Sequence, residues 1–439
     1  MKLLVRSTLM AGVLGVVAVG CGRGIDESAT GVTAPTSQPS ATTSVASTTT
    51  EAPVEATEIV VWVPVRARAA VQEAAATFTT ATGIGVAVES VELDEMELAI
   101  SSGVGPDIFM GRHTWLARLA PRGLAVPAGL ESRLDDFVEV AGDAFTYEGI
   151  VYGAPATMES IALFYNSNVV TNPPGAFSEI KEACLQIRGG DATTTTVDST
   201  TTTLPEPLGA GCLEYLVDDA TAGLALVTSG DGYLYRRVDG SYIATDVGLA
   251  TDPAVSRAAT LRSLVADGVL AGADDRAAMV ARFASGETPF LIGDIGLAEA
   301  LSSSATSFGV SRLPIITGTT PRPFVEVTGF MVAGRSVQQQ TALLFLSDYL
   351  ATPSAMADVF GASTGLPAYR ATADLVAGDQ VLAGLQAAAE AGNPLPVVDG
   401  IDNVLAALGA TLASILDAEG PEVEAILSEA AQLALSLAA

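Results

Sequence analysis

Side chains that commonly carry out catalysis are few in this sequence. Its 439 residues include one histidine, His113, and three cysteines. No histidines or cysteines have the spacing of a zinc site, and no glycine-rich loop has the spacing that holds a phosphate. Two pairs of adjacent carboxylates, Asp135 with Asp136 and Asp218 with Asp219, could serve glycoside hydrolysis, but such pairs in so acidic a chain are usually solvated surface. Metal, nucleotide and histidine-dependent enzymes are therefore disfavoured, and no cofactor is expected.

Several polar and aromatic residues instead follow predicted strands, where they could bind a ligand. Four candidates come just after the apolar run 108–110, namely Arg112, His113, Thr114 and Trp115. Arg66 follows the apolar run 58–63 in the same way. Open α/β sheets place ligand contacts at the carboxyl ends of their strands. The alternative for either arginine is a solvated loop charge in an acidic protein.

Predicted strands and helices alternate around these candidates. The β-branched run Glu58–Val63 is typical of a buried parallel strand, and a second strand is predicted at 85–91. Gly83 ends the helix between them, and Asp94 is predicted to cap a helix that runs to about Ser101. The first helix is predicted from the spacing of Val71, Ala74, Ala75 and Phe78. The alternation predicts an α/β fold with helices on both sheet faces.

The C-terminal part of the sequence is predicted to be helical. An apolar stripe at helical spacing predicts a core-facing helix, and further helix is expected after Pro421. The stripe consists of Val404, Leu405, Leu408, Leu412, Ile415 and Leu416.

The first residues have the pattern of an export signal. Lys2 and Arg6 accompany a short apolar run, 9–20, which is too short to span a bilayer. Small residues directly before Cys21 are what lipoprotein signal peptidase cleaves. We predict a signal peptide over 1–20, lipidation of Cys21, and a Ser/Thr/Pro-rich tether over 21–57 that holds the protein at the outer face of the cytoplasmic membrane. An ordinary signal peptide that carries a cysteine is the alternative.

The two remaining cysteines are Cys184 and Cys212. An even remainder in an exported, oxidising setting favours one disulfide. It would clip the base of a Thr-rich surface loop at about 191–204.

The charge of the chain limits the classes of partner it can bind, and its length indicates the number of lobes. A formal net charge of −29 repels phosphates, so nucleic-acid binding is not expected. The length predicts two or three lobes rather than one compact unit.

Short stretches occur in a recognisable order along most of the sequence. They include Ile59–Val63, Gly105–Phe109 with His113 and Trp115, Phe145–Gly149, Tyr152–Pro155, Asp231-Gly232-Tyr233, Asp246-Val247-Gly248, Gly286-Glu287-Thr288, Arg322–Val325 and Thr352-Pro353. No single stretch is specific, but the ordered set resembles the maltose/maltodextrin-binding family of ABC transporter solute-binding proteins.

This resemblance implies two α/β lobes joined by crossover strands, with the ligand cleft between them. The first lobe would comprise 58–156 and 310–350, and the second 157–309 and 351–439. The implied protein is a monomer that captures a small carbohydrate or similar polar solute by hinge closure and delivers it to the membrane subunits of an ABC permease. A histidine at the place of His113 is more often structural in this family, whereas Glu159 and Asp219 match acidic positions of the second lobe.

The sequence departs from the family at positions where aromatic rings stack on sugars. The expected rings fall near Leu224 and Leu405, Thr114 replaces a carboxylate, and Asp294 lies where an Asn-Gly-Pro-Trp segment is common. Tyr233 and Trp115 remain as aromatic candidates. We therefore expect a short ligand such as a mono- or disaccharide, a polyol or a small anion. A receptor subunit of a signalling system and an extracytoplasmic carbohydrate-active enzyme are the competing functions.

Overall fold

The computed structural model of the protein describes residues 58–189 and 211–438. The predicted signal peptide, Cys21, the tether and the Thr-rich loop lie outside these ranges. Within them, strands and helices alternate as predicted, and the α/β class is confirmed. None of the helices in these ranges combines the length and hydropathy that a membrane span requires.

The described strands fall into two larger sheets and two hairpins. They are β1 (Glu58–Val63), β2 (Gly85–Ser90), β3 (Ile108–Arg112), β4 (Thr146–Tyr147), β5 (Ile150–Val151), β6 (Gly153–Glu159), β7 (Ala162–Asn166), β8 (Leu213–Leu216), β9 (Tyr235–Val238), β10 (Ser241–Val247), β11 (Leu270–Ala273), β12 (Phe290–Gly293), β13 (Phe308–Ser311), β14 (Phe324–Val332), β15 (Leu366–Pro367) and β16 (Asn393–Pro394).

The α-helices of the described ranges cover these sheets. They are α1 (Arg68–Thr82), α2 (Leu93–Ser101), α3 (Leu116–Leu119), α4 (Glu139–Ala144), α5 (Phe177–Gly189), α6 (Ala220–Val227), α7 (Asp252–Ala266), α8 (Arg276–Ser285), α9 (Ile295–Ser303), α10 (Gln339–Phe345), α11 (Pro353–Gly361), α12 (Gln380–Glu390), α13 (Ile401–Ala413) and α14 (Val423–Leu437). Short 3₁₀ segments follow β1 at Val65–Ala67 and β3 at His113–Trp115.

The first sheet has seven strands, in the order β15-β6-β14-β3-β1-β2, with β16 paired to β14. Strand β1 pairs in parallel with β2 and β3, as its continuous apolar run predicts. The long strand β14 is antiparallel to both β3 and β6. Helix α1 packs on this sheet through the four predicted core residues, and Gly83 ends it with a φ of 77°.

The second sheet has five strands, in the order β11-β8-β12-β7-β13. Helices α6, α13 and α14 pack together beside it, and the C-terminal apolar stripe faces the core there as predicted, with Leu405 and Leu416 only partly buried. The predicted disulfide is confirmed, because Cys184 in α5 bonds to Cys212 before β8 with their Cα atoms 5.9 Å apart.

Three passages of the chain connect the two sheets. Strand β6 leads to β7 through Ser160 and Ile161 alone, β13 leads to β14, and the segment after β16 leads to α13. The passages are bonded to one another: Ser160 Oγ donates to the Phe324 carbonyl at 3.2 Å, and Asn393 N–H donates to the Pro323 carbonyl at 2.9 Å. They form one bundle of hydrogen-bonded backbone between the sheets.

The structure differs from the sequence predictions at two places. Helix α2 begins one residue before Asp94, and its N-cap is Glu92, so Asp94 lies in the first turn, where its charge favours the helix dipole. Helix α11 packs on α1, and β15 pairs with β6. The segment 353–367 and strand β16, both predicted in the second lobe, therefore lie on the first sheet.

Candidate functional site

A pocket of about 330 Å³ lies between elements of the two sheets. One wall comes from α2, which packs on β3, and from the segment that follows β3. The opposite wall is the start of α13, which packs on α6 and α14 beside the second sheet. The polar and aromatic side chains that line the pocket are Asp94, Glu97, Ser101, Thr114, Trp115, Arg118, Asp399, Asp402 and Asn403.

A glycine sets the direction in which α13 enters the pocket. Gly400 is the N-cap of α13 and has a φ of 76°, a conformation that favours glycine. A Cβ at this position would also lie 2.6 Å from the carbonyl oxygen of Leu437, so a side chain has no room. Because of this turn, the first residues of the helix, Ile401 to Asn403, line the pocket.

Four buried polar atoms at the pocket have no hydrogen-bond partner among the described residues. They are Ser101 Oγ, Thr114 Oγ1, Trp115 Nε1 and Arg118 Nε. A buried polar atom without a partner costs about 1–3 kcal/mol. A ligand with hydrogen-bonding groups would satisfy these atoms, whereas an apolar ligand would leave the cost in place.

Trp115 is held in the pocket wall by its neighbours. Its ring is 2% exposed and stacks on Phe109 with ring centroids 6.4 Å apart and planes inclined at 21°. The ring also covers Gly111, where a Cβ would lie 2.3 Å from Trp115 Cζ3. The tryptophan therefore offers the pocket its Nε1 hydrogen more than an open aromatic face.

Arg118 connects the two walls of the pocket. Its Nη2 donates to Glu97 Oε1 of α2, and its Nε lies 3.5 Å from Asp399 Oδ1 before α13. The second contact is an ion pair without hydrogen-bond geometry. Burial raises the pKa of Glu97, Arg118 lowers it, and Asp402 raises it further.

Arg112, at the end of β3, lies beside this pocket and pairs with Glu326 of β14. The ion pair joins Arg112 Nε and Glu326 Oε1 at 3.2 Å, without the angle of a hydrogen bond. Burial raises the pKa of Glu326 to about 7, and Arg112 opposes this shift. Arg112 is also close enough to Glu97 and Asp402 to interact with both charges.

The acidic residues Glu159, Asp219 and Asp294 form one electrostatic neighbourhood. The Glu159 side chain reaches solvent, yet protein surrounds it closely enough that desolvation raises its pKa, with a further contribution from Asp294. Desolvation also raises the pKa of Asp219, which caps α6 by accepting from Thr221 N–H at 3.0 Å. Asp294 caps α9 and pairs with Arg276 Nη1 at 3.0 Å.

His113 has the structural role that the family resemblance favours. Its side chain is fully buried, Nδ1 accepts from Val327 N–H at 3.1 Å, and Nε2–H donates to the Leu395 carbonyl at 2.9 Å. Burial lowers its pKa to about 4, so the ring is neutral. Both ring nitrogens are occupied by these hydrogen bonds. His113, which was predicted as a candidate ligand contact, therefore has no ring nitrogen left to bond a ligand.

Four other predicted site residues lie away from the pocket. Arg66 is exposed after β1, and Leu224 is fully buried in the core of the second sheet. Leu405 is half-buried against the same core, one turn beyond the residues of α13 that line the pocket. Tyr233 donates to Asp246 Oδ1 at 2.7 Å and lies under the Arg236 guanidinium. Of the remaining predicted site residues, Thr114 and Trp115 line the pocket, and Arg112 lies beside it. Glu159, Asp219 and Asp294 do not line it, although Glu159 interacts electrostatically with Arg112 and with Asp294.

Sequence reasoning missed most of the charged lining. Arg118 lies three residues after the candidate Trp115, so helical spacing was an available signal for it, whereas Glu97 lies three residues after Asp94, which was predicted only as a helix cap. Asp399 and Asp402 had no such signal, because the passage after β16 brings them to the pocket from far along the chain. In the described ranges, no cluster of three or more His, Cys, Asp or Glu side chains is arranged to hold a metal ion.

Comparisons with known proteins agree with this architecture. Residues 73–386 match the family described as bacterial extracellular solute-binding protein. The chain is 36% identical over 90 residues to the maltotriose-binding protein of Pyrococcus abyssi (strain GE5 / Orsay), covering 20% of each protein. It is 20% identical over 298 residues to the galactooligosaccharide-binding protein of Bacillus subtilis (strain 168), covering 65% of this chain and 66% of that protein.

A further relative is the maltooligosaccharide ABC transporter solute-binding lipoprotein of Streptococcus pneumoniae (strain ATCC BAA-255 / R6). The match is 23% identical over 275 residues and covers 60% of each protein. All three matches span less than two thirds of the relative's length. The family match, in contrast, covers more than half of the present chain. The two sheets of this chain, with a pocket between their elements, agree with the two-lobed fold that the family implies. This chain belongs to the bacterial extracellular solute-binding protein family.

Proposed function

We propose that this protein binds a short carbohydrate or similar polyhydroxylated solute between its two lobes and delivers it to the membrane subunits of an ABC importer. The observation that carries the proposal is the pocket between the two sheets, with its four buried polar atoms that lack partners. Hydroxyl groups both donate and accept hydrogen bonds, so a polyol can satisfy indole, hydroxyl and guanidinium groups together. The named relatives are oligosaccharide-binding proteins, which supports the same ligand class.

The size of the pocket supports a short ligand. Its volume of about 330 Å³ is near the lower end of the roughly 300–1,000 Å³ typical of small-molecule sites. Trp115 has little open ring face, and Leu224 is buried in the core, so the stacking surfaces that a long glucan needs are few. We retain Arg112, Thr114, Trp115, Glu159, Asp219 and Asp294 as candidate ligand residues and add Arg118.

Hinge closure is the mechanism that the connections between the sheets support. The two walls of the pocket come from elements of different sheets, and three short passages join those sheets. A ligand that contacts both walls stabilises the closed arrangement by its greater affinity for it. The lobes would then follow the sequence-based division, except that the segment 353–367 and strand β16 move to the first lobe.

Anchoring through Cys21 is part of the proposal. The short apolar run, the small residues before Cys21 and the tether support it, and the Streptococcus pneumoniae relative is a lipoprotein. A lipid-anchored monomer on a tether would reach a permease in the same membrane. The solute is then passed on chemically unchanged, since the family and the relatives named are binding proteins rather than enzymes.

A thermal-shift screen followed by calorimetric titration tests the binding function. The panel should hold glucose, galactose, glucosamine, maltose, maltotriose, a galactooligosaccharide, a polyol and phosphate. A ligand that binds only the native state raises the melting temperature. At a ligand concentration a hundredfold above Kd, the free energy of unfolding increases by about 2.7 kcal/mol. We expect at least one short sugar or polyol to do so. If no member of the panel shifts the transition, carbohydrate binding is wrong.

A pair of threonine variants ties the binding to this pocket. Thr114→Val removes the unpaired hydroxyl in the pocket wall and keeps the side-chain shape. Thr228→Val removes a buried hydroxyl that donates to the Leu224 carbonyl away from the pocket. We expect Thr114→Val to weaken the titrated sugar at least fivefold and Thr228→Val to change its affinity less than twofold. Equal effects of the two variants would contradict the assignment of the site.

A further inference from the structure

We infer that the ligand of this pocket is an amino sugar, a polyhydroxylated solute that carries a protonated amine. This inference rests on the proposed function and makes its ligand class more specific. The amine would lie between Asp94 of α2 and Asp402 of α13, on opposite walls of the pocket. The hydroxyl groups would bond to Thr114 and Trp115.

The first argument is the balance of charge in the lining. Four carboxylates line the pocket against one guanidinium, that of Arg118. This single cation already serves Glu97 and Asp399. Asp94 and Asp402 are exposed to solvent and have no ion-pair partner among the described residues, so either carboxylate is free to pair with a cationic ligand.

The nearest further cation does not correct this balance. Arg112 lies close enough to attract Asp94 and Asp402, but its own ion pair is with Glu326. The carboxylates of the pocket also repel one another. Asp402 and Asp94 both raise the pKa of Glu97, in addition to the effect of its burial. A cation in the pocket would relieve this repulsion, whereas a phosphate or another anion would increase it.

The second argument separates a ligand site from ordinary acidic surface. Thr114 and Trp115 are 5% and 2% exposed, they line the same pocket, and Thr114 Oγ1 and Trp115 Nε1 have no partner. An ordinary acidic surface is hydrated and has no buried, unpaired hydroxyl or indole group beside its carboxylates. The presence of both groups here indicates a ligand site. The indole hydrogen can only donate, so it requires an acceptor oxygen on the ligand. A metal ion or a simple polyamine has no such oxygen, and a neutral sugar gains no charge attraction from Asp94 and Asp402. An amino sugar meets both requirements.

The experiment compares two disaccharides that differ only in their amines. The probes are the β-1,4-linked glucosamine disaccharide with free amines and cellobiose, titrated calorimetrically into the full-length protein at low ionic strength. We expect the amino disaccharide to bind at least tenfold more tightly and the difference to shrink as salt is added, because salt screens charges. Putrescine serves as the control for unspecific attraction of amines to an acidic protein.

Three variants locate the amine. Asp94→Asn and Asp402→Asn each remove one uncompensated charge, and each should reduce the affinity ratio of amino to neutral disaccharide by about fivefold, the upper range for one partly exposed ion pair. Glu95→Gln is the matched control, since Glu95 is also in the first turn of α2 but does not line the pocket. Its affinity ratio should equal that of the wild type.

The following results would overturn the inference. Cellobiose or maltose binding as tightly as the amino disaccharide would overturn it and leave carbohydrate binding standing. Putrescine binding as tightly as the amino disaccharide, or Glu95→Gln lowering the ratio as much as Asp94→Asn, would show unspecific charge attraction. If no sugar of either kind binds, the proposed function itself fails and the inference falls with it.

Discussion

Replacing Gly111 by alanine should disturb both the stability of the protein and its ligand pocket. The added Cβ would lie 2.3 Å from Trp115 Cζ3, 2.5 Å from Cε3 and 3.1 Å from Met331 Cε. The shortest ordinary contact is 3.4 Å, so the indole must retreat by about 1.1 Å, the difference between 3.4 and 2.3 Å. Because the ring is 2% exposed and stacks on Phe109, it can retreat only by disturbing this packing or by moving into the ligand pocket. Overpacking of this kind costs about 1–3 kcal/mol.

The same displacement should also weaken ligand binding, because Trp115 Nε1 moves with the ring. We expect Gly111→Ala to lower the free energy of unfolding by about 2 kcal/mol and the affinity for a screened sugar at least tenfold. Urea unfolding and calorimetric titration measure the two effects. Gly361→Ala is the control, since Gly361 ends α11 with nothing within 4 Å of the added Cβ. An unfolding free energy of Gly111→Ala within about 0.5 kcal/mol of the wild type would refute this reasoning.

Four further predictions concern pH, cross-linking, anchoring and ligand length. Burial lowers the pKa of His113 from 6.5 to about 4, so the neutral ring contributes its full stabilisation above pH 6.5. This contribution, about 3 kcal/mol in all, is lost as the pH falls to 4. Identical acid dependence of urea unfolding in the wild type and His113→Gln would contradict this. Reduction, or serine at both Cys184 and Cys212, should lower the free energy of unfolding by about 3.5 kcal/mol for a separation of 28 residues, and unchanged urea midpoints with and without reductant would argue against it. Cys21→Ala should release the protein from membranes in cell fractionation, and a mature N-terminus elsewhere would rule out this anchor. Maltotriose should bind on the order of a hundredfold more weakly than the best short ligand, and micromolar binding of maltotriose in calorimetry would contradict the loss of stacking rings.

Local patterns predicted the parts of this fold that local interactions determine. Strand β1, helix α1 and its end at Gly83 follow from a β-branched run, a helical apolar face and a glycine, all within 26 residues of sequence. The disulfide followed from counting cysteines in an exported protein. Pairings between distant segments were not predictable in this way. Strand β15 pairs with β6 although the paired residues Met158 and Leu366 are 208 positions apart (366 − 158), and that pairing places the segment 353–367 on the first sheet.

The candidate site shows the same limit. Thr114 and Trp115 were found because they follow a strand end, and they do line the pocket. The expected ring positions, Leu224 and Leu405, were placed by analogy along the chain, and the helix surfaces on which they lie face the core. Asp402 lines the pocket instead, because α13 presents its first turn there. Such a shift of one helical turn has no signature in the hydrophobic pattern.

The buried histidine gives this protein a convenient spectroscopic property. His113 is the only histidine of the 439 residues, so its imidazole contributes a single, unambiguous set of ring resonances to an NMR spectrum. Its two hydrogen bonds reach β14 on one side and, through Leu395, the passage that leads to α13 on the other. Because Leu395 begins the passage to α13, we expect a rotation of α13 toward or away from the pocket to change the geometry of this hydrogen bond. The ¹⁵N shifts of this one ring can therefore report the opening and closing of the cleft in the unmodified protein, without an attached dye or an introduced label site.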